Sequence, residues 1–169
     1  MLNLKGLEYE IIFVFDDDKD KTIDVIDSLM KDMNYSIVFS DTKYAGLARN
    51  QGLAAASGEF VWFVDGDDWI IFPDTLQMCI PHLREENLNI IQINFVSNLF
   101  KMQHYSMVWQ YIFKRSFLID HHISFAPLNK YEDNDFMKQV FNNIEEEAIS
   151  KFSVPCYFYN YNRPGSVTY

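Results

Sequence analysis

Two uninterrupted apolar runs in this chain end in clustered acids. Ile11-Ile12-Phe13-Val14-Phe15, entered from Glu10, passes straight into Asp16, Asp17, Asp18 and Asp20. Phe60-Val61-Trp62-Phe63-Val64, bounded by Gly58 and Gly66, delivers Asp65, Asp67, Asp68 and then Trp69. Unbroken apolar runs of this length predict strands buried on both faces. Between them, Ile23, Ile26, Leu29 or Met30, and Met33 recur at helical spacing. Tyr35 to Phe39 reads as a short strand. Tyr44 to Ser57, with Leu47, Ala48 and Ala54-Ala55-Ala56, reads as a small-residue helix that Gly58 can end.

Further on, Pro73 and Asp74 suit a helix start, and Leu76, Ile80 and Leu83 give its apolar face, although Pro81 should kink or shorten it. Asn89 to Val96 predicts a strand. Met107 to Leu118 is aromatic and partly helical in pattern. Tyr131 to Glu147 predicts a helix faced by Phe136, Val140, Phe141 and Ile144, and Phe152 to Tyr161 a last strand before the turn at 162–166. Strands alternating with helices imply an α/β domain with a mostly parallel sheet flanked by helices. Ligands bind such sheets beyond the carboxyl ends of their strands, which is where both acid clusters fall.

A chain of 169 residues is expected to form one domain with a substantial core. Hydrophobic residues at 49% and aromatics at 17% exclude a disordered chain. Fourteen basic against 24 acidic residues give a net charge of −10, which argues against a nucleic-acid partner. The two cysteines, Cys79 and Cys156, form no disulfide framework and read as ordinary buried thiols. No run reaches membrane-spanning length and no signal-peptide pattern opens the chain, so a cytoplasmic protein is expected, with peripheral membrane attachment as the variant.

Asp65, Asp67 and Asp68 crowd three carboxylates into four positions around Gly66, a residue free to adopt conformations others avoid. Mutual repulsion and desolvation at the end of a buried strand are relieved by a hard divalent cation such as Mn²⁺ or Mg²⁺. An acidic surface turn is the competing reading.

Taken in order, Ile11 to Asp17, Gly46-Leu47-Ala48-Arg49-Asn50-Gln51-Gly52-Leu53, Ala56 to Phe60 and Val64 to Trp69 resemble the family 2 glycosyltransferases, which have the nucleotide-sugar-binding GT-A fold. Trp109 to Leu118 resembles that family's acceptor-side segment, Tyr131 to Phe136 its Glu-Asp base motif, and Tyr159 to Thr168 the tail that closes over the donor.

The resemblance implies a metal-assisted, inverting transfer from a nucleotide-sugar donor, most simply a UDP-sugar, to a glycan or lipid-linked acceptor in polysaccharide or glycoconjugate assembly. Asp67 would be the chief metal ligand, with Asp65 on metal or ribose and Asp68 in support. Asp17 would read the nucleotide base, with Asp16 beside it. Arg49 would hold the donor or the acids, or else be a plain salt bridge. Asp133 would be the general base, with Glu132 beside it on the acceptor side; for both acids the alternative is helix capping. Arg163 would meet the diphosphate, and Trp69 and Trp109 would stack on acceptor sugars or else belong to the core.

The family's usual opening strand–helix unit has no counterpart ahead of Glu10. That strand normally lies inside the sheet beside the one ending at Asp65, so a rearranged sheet or self-association into a homo-oligomer is expected. A catalytically inactive GT-A remnant acting as a binding or assembly module is therefore the alternative function. A nucleotidyltransferase fits less well, because no glycine-rich loop with a basic residue precedes the first strand.

Overall fold

A computed structural model describes residues 6–16, 21–84, 88–98 and 107–161. The chain runs β1 (Ile11–Phe15), α1 (Thr22–Leu29), β2 (Tyr35–Phe39), α2 (Ala45–Ala55), β3 (Phe60–Trp62), β4 (Trp69–Ile70), α3 (Thr75–Leu83) and β5 (Ile90–Ser97). A 3-10 turn at Val108–Gln110 leads into β6 (Tyr111–Lys114), α4 (Arg115–Asp120), α5 (Glu132–Asn142), a 3-10 turn at Glu146–Ala148, and β7 (Ile149–Tyr159). The architecture is α/β.

The strands divide between two sheets. β1 and β2 pair in parallel, and the remaining five strands follow the order β3-β6-β5-β7-β4. Among the described residues, β1 has a partner only in β2 and β3 only in β6, so each keeps one unpaired edge. Strand directions are also more mixed than expected: β5 runs parallel to β7, whereas β6 is antiparallel to β3 and β5, and β4 to β7.

The larger sheet carries an apolar layer on each face, because neighbouring residues of a strand point to opposite sides. Ile90, Tyr111 and Phe113 face α4 and α5, packing with Phe117, Leu118, Phe125, Phe136 and Val140. Ile91 and Ile112 face α3, joining Cys79, Trp109, Cys156 and Tyr157. Both cysteines are free and fully buried.

Several sequence expectations change. The segment expected to be partly helical, Met107 to Leu118, has a 3-10 turn at Val108–Gln110 and the start of α4 from Arg115, with the strand Tyr111–Lys114 between them, paired to β3 and β5. The strand's aromatic, unbroken apolar run fits either period, and pairing on both sides selects the strand. The helix expected to reach Glu147 stops at Asn142. α2 stops at Ala55 because Ala56 turns to extended backbone, before Gly58 can act as a cap. Neither acid-terminated strand is buried on both faces: β1 and β3 are half-buried throughout, and Val64 is exposed, since each strand is paired on one side only.

Candidate active site

The second acid cluster sits on a tight turn at the end of β3. Asp65 carbonyl accepts the Asp68 N–H at 3.2 Å, closing the turn around Gly66 and Asp67. Gly66 does not use left-handed backbone, and a side chain there would meet nothing within 4 Å, so the turn forms without the conformational freedom that glycine offers. The three carboxylates can each bring an oxygen within 4.8 Å of the others. Hard oxygen donors converging at this spacing fit a divalent cation. All three are partly buried, and burial pushes Asp68 above the usual carboxylate range, aided by the negative charges of Asp65 and Asp67.

Arg49, on α2, joins this turn to the start of α5. One terminal nitrogen donates to Asp65 Oδ1 at 2.8 Å; the other donates to Glu132 Oε1 at 3.0 Å and Asp133 Oδ1 at 3.2 Å. Burial opposes the Arg49 charge, but Asp65 and Asp133 outweigh it and hold the guanidinium protonated well above its ordinary range. The Arg49 guanidinium also lies 5.5 Å from the Phe125 ring. The approach of α2 to α5 depends on Gly46, since a methyl group there would lie 2.8 Å from Phe125 Cβ and 3.3 Å from Glu132 Cβ.

Asp133 is buried, with one oxygen on Arg49 and the other accepting the Val108 N–H at 3.0 Å. Burial raises its carboxyl to about 6, against the lowering effect of Arg49 and of that N–H. It is therefore ionised at neutral pH and close to the value that suits a base. α5 begins from Tyr131, whose backbone is left-handed at φ 65°, an uncommon state for a bulky residue.

The structure thus assembles Arg49, Asp65, Glu132 and Asp133 in one connected group, with Asp67 and Asp68 on the same turn as Asp65. Asp16 is exposed at the end of β1. Asp17 and Arg163 lie outside the described residues. Trp69 is 55% exposed directly after the acids, its ring edge-on to Phe158 at 5.3 Å. Trp109, expected on the acceptor side, is instead a core residue at 1% exposure, packed between Phe95, Tyr157 and Tyr159 with no face for a ligand. Tyr157 was not foreseen in the site. Its hydroxyl accepts the Asp65 N–H at 3.2 Å and donates to Asp68 Oδ2 at 2.7 Å. Only a pairing of β7 with β4 beside the turn could reveal it, and no sequence spacing carries that information.

The α/β fold, with its acid turn at a strand end, is that of the GT-A glycosyltransferases. The chain belongs to glycosyl transferase family 2, whose description it matches over residues 1–154. The Bacillus subtilis (strain 168) protein EpsH, named as a glycosyltransferase, is 24% identical over 180 residues, covering 89% of this chain and 52% of EpsH. The poly(ribitol-phosphate) beta-N-acetylglucosaminyltransferase TarS of Staphylococcus aureus (strain Mu50 / ATCC 700699) is 26% identical, covering 94% of this chain and 31% of TarS. The crystal structure of S. aureus TarS 1–349 in complex with UDP-GlcNAc superposes with a TM-score of 0.81 at 25% identity, over 94% of this chain and 51% of that one. The mannosyltransferase PcManGT from Pyrobaculum calidifontis, solved with GDP-Man and Mn²⁺, shares the fold at a TM-score of 0.69 and 16% identity, over 92% of this chain and 49% of that one. The chain spans about half the length of EpsH and about a third of TarS. No helix among the described residues is long and apolar enough to cross a membrane.

Proposed function

We infer that this chain carries the donor site and the base of an inverting glycosyltransferase that moves a sugar from a nucleotide-sugar, a UDP-sugar first, onto a glycan or lipid-linked acceptor. The observation that carries this reading is the Arg49 bridge, which brings the 65–68 turn and Asp133 into one cluster. Asp133 receives the proton of the acceptor hydroxyl; each of its oxygens has one hydrogen bond from the protein and a second lone pair remaining. A single base and a single displacement invert the anomeric carbon, with no covalent intermediate. Asp67 and Asp65 would hold a Mn²⁺ or Mg²⁺ ion, which when bound supplies the charge that neutralises the leaving diphosphate. Asp68 supports the turn. Asp16 and Asp17 take the nucleoside side, Arg163 the diphosphate, and Glu132 and Trp69 the acceptor side, the exposed indole offering a face to a sugar. The setting is cytoplasmic polysaccharide assembly.

Calorimetric titration of UDP- and GDP-sugars in the presence of Mn²⁺ tests this reading, together with donor hydrolysis by the native chain and by Asp133→Asn. Donor-dependent heat and hydrolysis that the substitution abolishes are expected; no heat from any donor overturns it. The edges of β1 and β3 that have no partner among the described residues favour one second reading, a non-catalytic binding or assembly module. Donor binding without hydrolysis, and a dimeric mass in solution, would select that reading.

A further inference from the structure

One buried side chain holds the acid turn at both ends. Tyr157, in β7, is fully buried, its ring stacked on Trp109 at 4.6 Å and 8° between planes. Its hydroxyl accepts the N–H that opens the turn, from Asp65, and donates to the carboxylate that closes it, on Asp68. The other Asp68 oxygen accepts the Asn160 N–H at 2.8 Å. A hydroxyl bonded to a carboxylate at 2.7 Å is a strong, charge-assisted contact. The stack continues toward the base: Trp109 follows Val108, whose N–H is bonded to Asp133. Asp133 and the acid turn are therefore joined by a second path, separate from Arg49, that runs through backbone and stacked rings.

We propose that Tyr157 is the positioning residue of the acid turn, and that Asp68 anchors the turn to β7 while Asp65 and Asp67 face the donor diphosphate and its cation. This assignment rests on the glycosyltransferase reading given above. Both Asp68 oxygens are committed to β7 and the residue following it, so a cation would compete there with two existing hydrogen bonds. Three acids in four positions repel one another, and without an anchor the turn would spread. Fixed at Asp65 N–H and at Asp68, it loses less conformational freedom when a cation arrives.

Tyr157→Phe keeps the ring stack and deletes only the hydroxyl. Mn²⁺ is titrated calorimetrically into the native chain, Tyr157→Phe and Asp67→Asn, each with and without UDP. Amide hydrogen exchange is followed across residues 64–69. Mn²⁺ uptake by the native chain, about tenfold weaker uptake by Tyr157→Phe as one charged hydrogen bond is lost, and faster exchange of the turn are expected. Asp67→Asn should abolish uptake. Native uptake with equal affinity and exchange in Tyr157→Phe overturns the assignment alone. No Mn²⁺ uptake by the native chain overturns the metal reading and this assignment together. Should Tyr157→Phe not fold, Asp68→Asn probes the other end of the same bond. The anchor role then predicts weakened uptake and faster exchange, and loss of uptake as complete as in Asp67→Asn would make Asp68 a ligand and overturn the assignment.

Discussion

The Arg49 guanidinium donates to Asp133 Oδ1 at 3.2 Å across 84 residues of sequence, on a side chain only 17% exposed. The same group holds Asp65 and Glu132, so three carboxylates share one counter-charge.

Replacing that counter-charge with an apolar side chain leaves the three acids facing one another. Arg49→Met is expected to lower stability by about 3 kcal/mol, the lower end for breaking a buried ion pair because the group is not fully enclosed. Arg49→Lys, which keeps the charge without the fork, should fall in between. Chemical denaturation of the three proteins checks the order.

Asp133 gives a pH dependence of definite sign. Its folded value of about 6 lies above the 3.8 of an unperturbed aspartate. Between those values the native state binds more protons than the unfolded chain, so stability falls as pH rises through that window. Asp133→Asn should flatten this part of the stability profile. With Asp133 as the proposed base, turnover by the native chain should rise with pH to a plateau, with an apparent pKa near 6, because a base acts in its ionised form. Arg49→Met, which removes the positive charge that lowers the Asp133 carboxyl, should move that rise to higher pH. A pH–rate series on both proteins measures it.

Glu10 ties β1 to the start of β3: its Oε1 accepts from Ser57 N at 2.7 Å, Ser57 Oγ at 2.9 Å and Gly58 N at 2.8 Å. The Ser57 N–H is the main reason its carboxyl titrates below the usual range. A lowered folded pKa gives stability that is present above the unfolded value and is lost as pH falls through the folded one. Glu10→Ala is expected to cost about 1–2 kcal/mol at neutral pH through the lost hydrogen bonds. The deficit should shrink in acid, as urea melts at pH 7 and pH 3 will show.

Gly46→Ala tests how closely α2 must approach α5. The added methyl would lie 2.8 Å from Phe125 Cβ, an atom near the backbone with little room to retreat. Overpacking of this kind is expected to cost about 1–3 kcal/mol and to move Arg49 away from Glu132. Gly66→Ala, where space is open, should leave stability nearly unchanged. Thermal melts of both variants decide the comparison.

Part of the site was legible because its chemistry is written locally. Asp65, Asp67 and Asp68 adjoin in sequence, and Glu132 and Asp133 open a helix whose apolar period is clear. Trp109 was harder to place: an indole near a strand end can serve a ligand but more often belongs to the core, and stacking on Tyr157 puts it there. Within Met107 to Leu118, expected to be partly helical, the strand Tyr111–Lys114 could not be set apart from the helical turns on either side, because a short apolar run has no period to read.

The one-dimensional pattern determined which segments could bury themselves and where negative charge would collect, since side-chain hydrophobicity and adjacency are properties of the string. Tertiary structure decided that β1 and β3 are each paired on one side among the described residues, that one arginine serves acids from two distant segments, and that Tyr157 bonds both ends of the turn. Those relations arise from strand pairing and helix packing across long separations, where the partner of a residue is set by geometry and not by its neighbours in the chain.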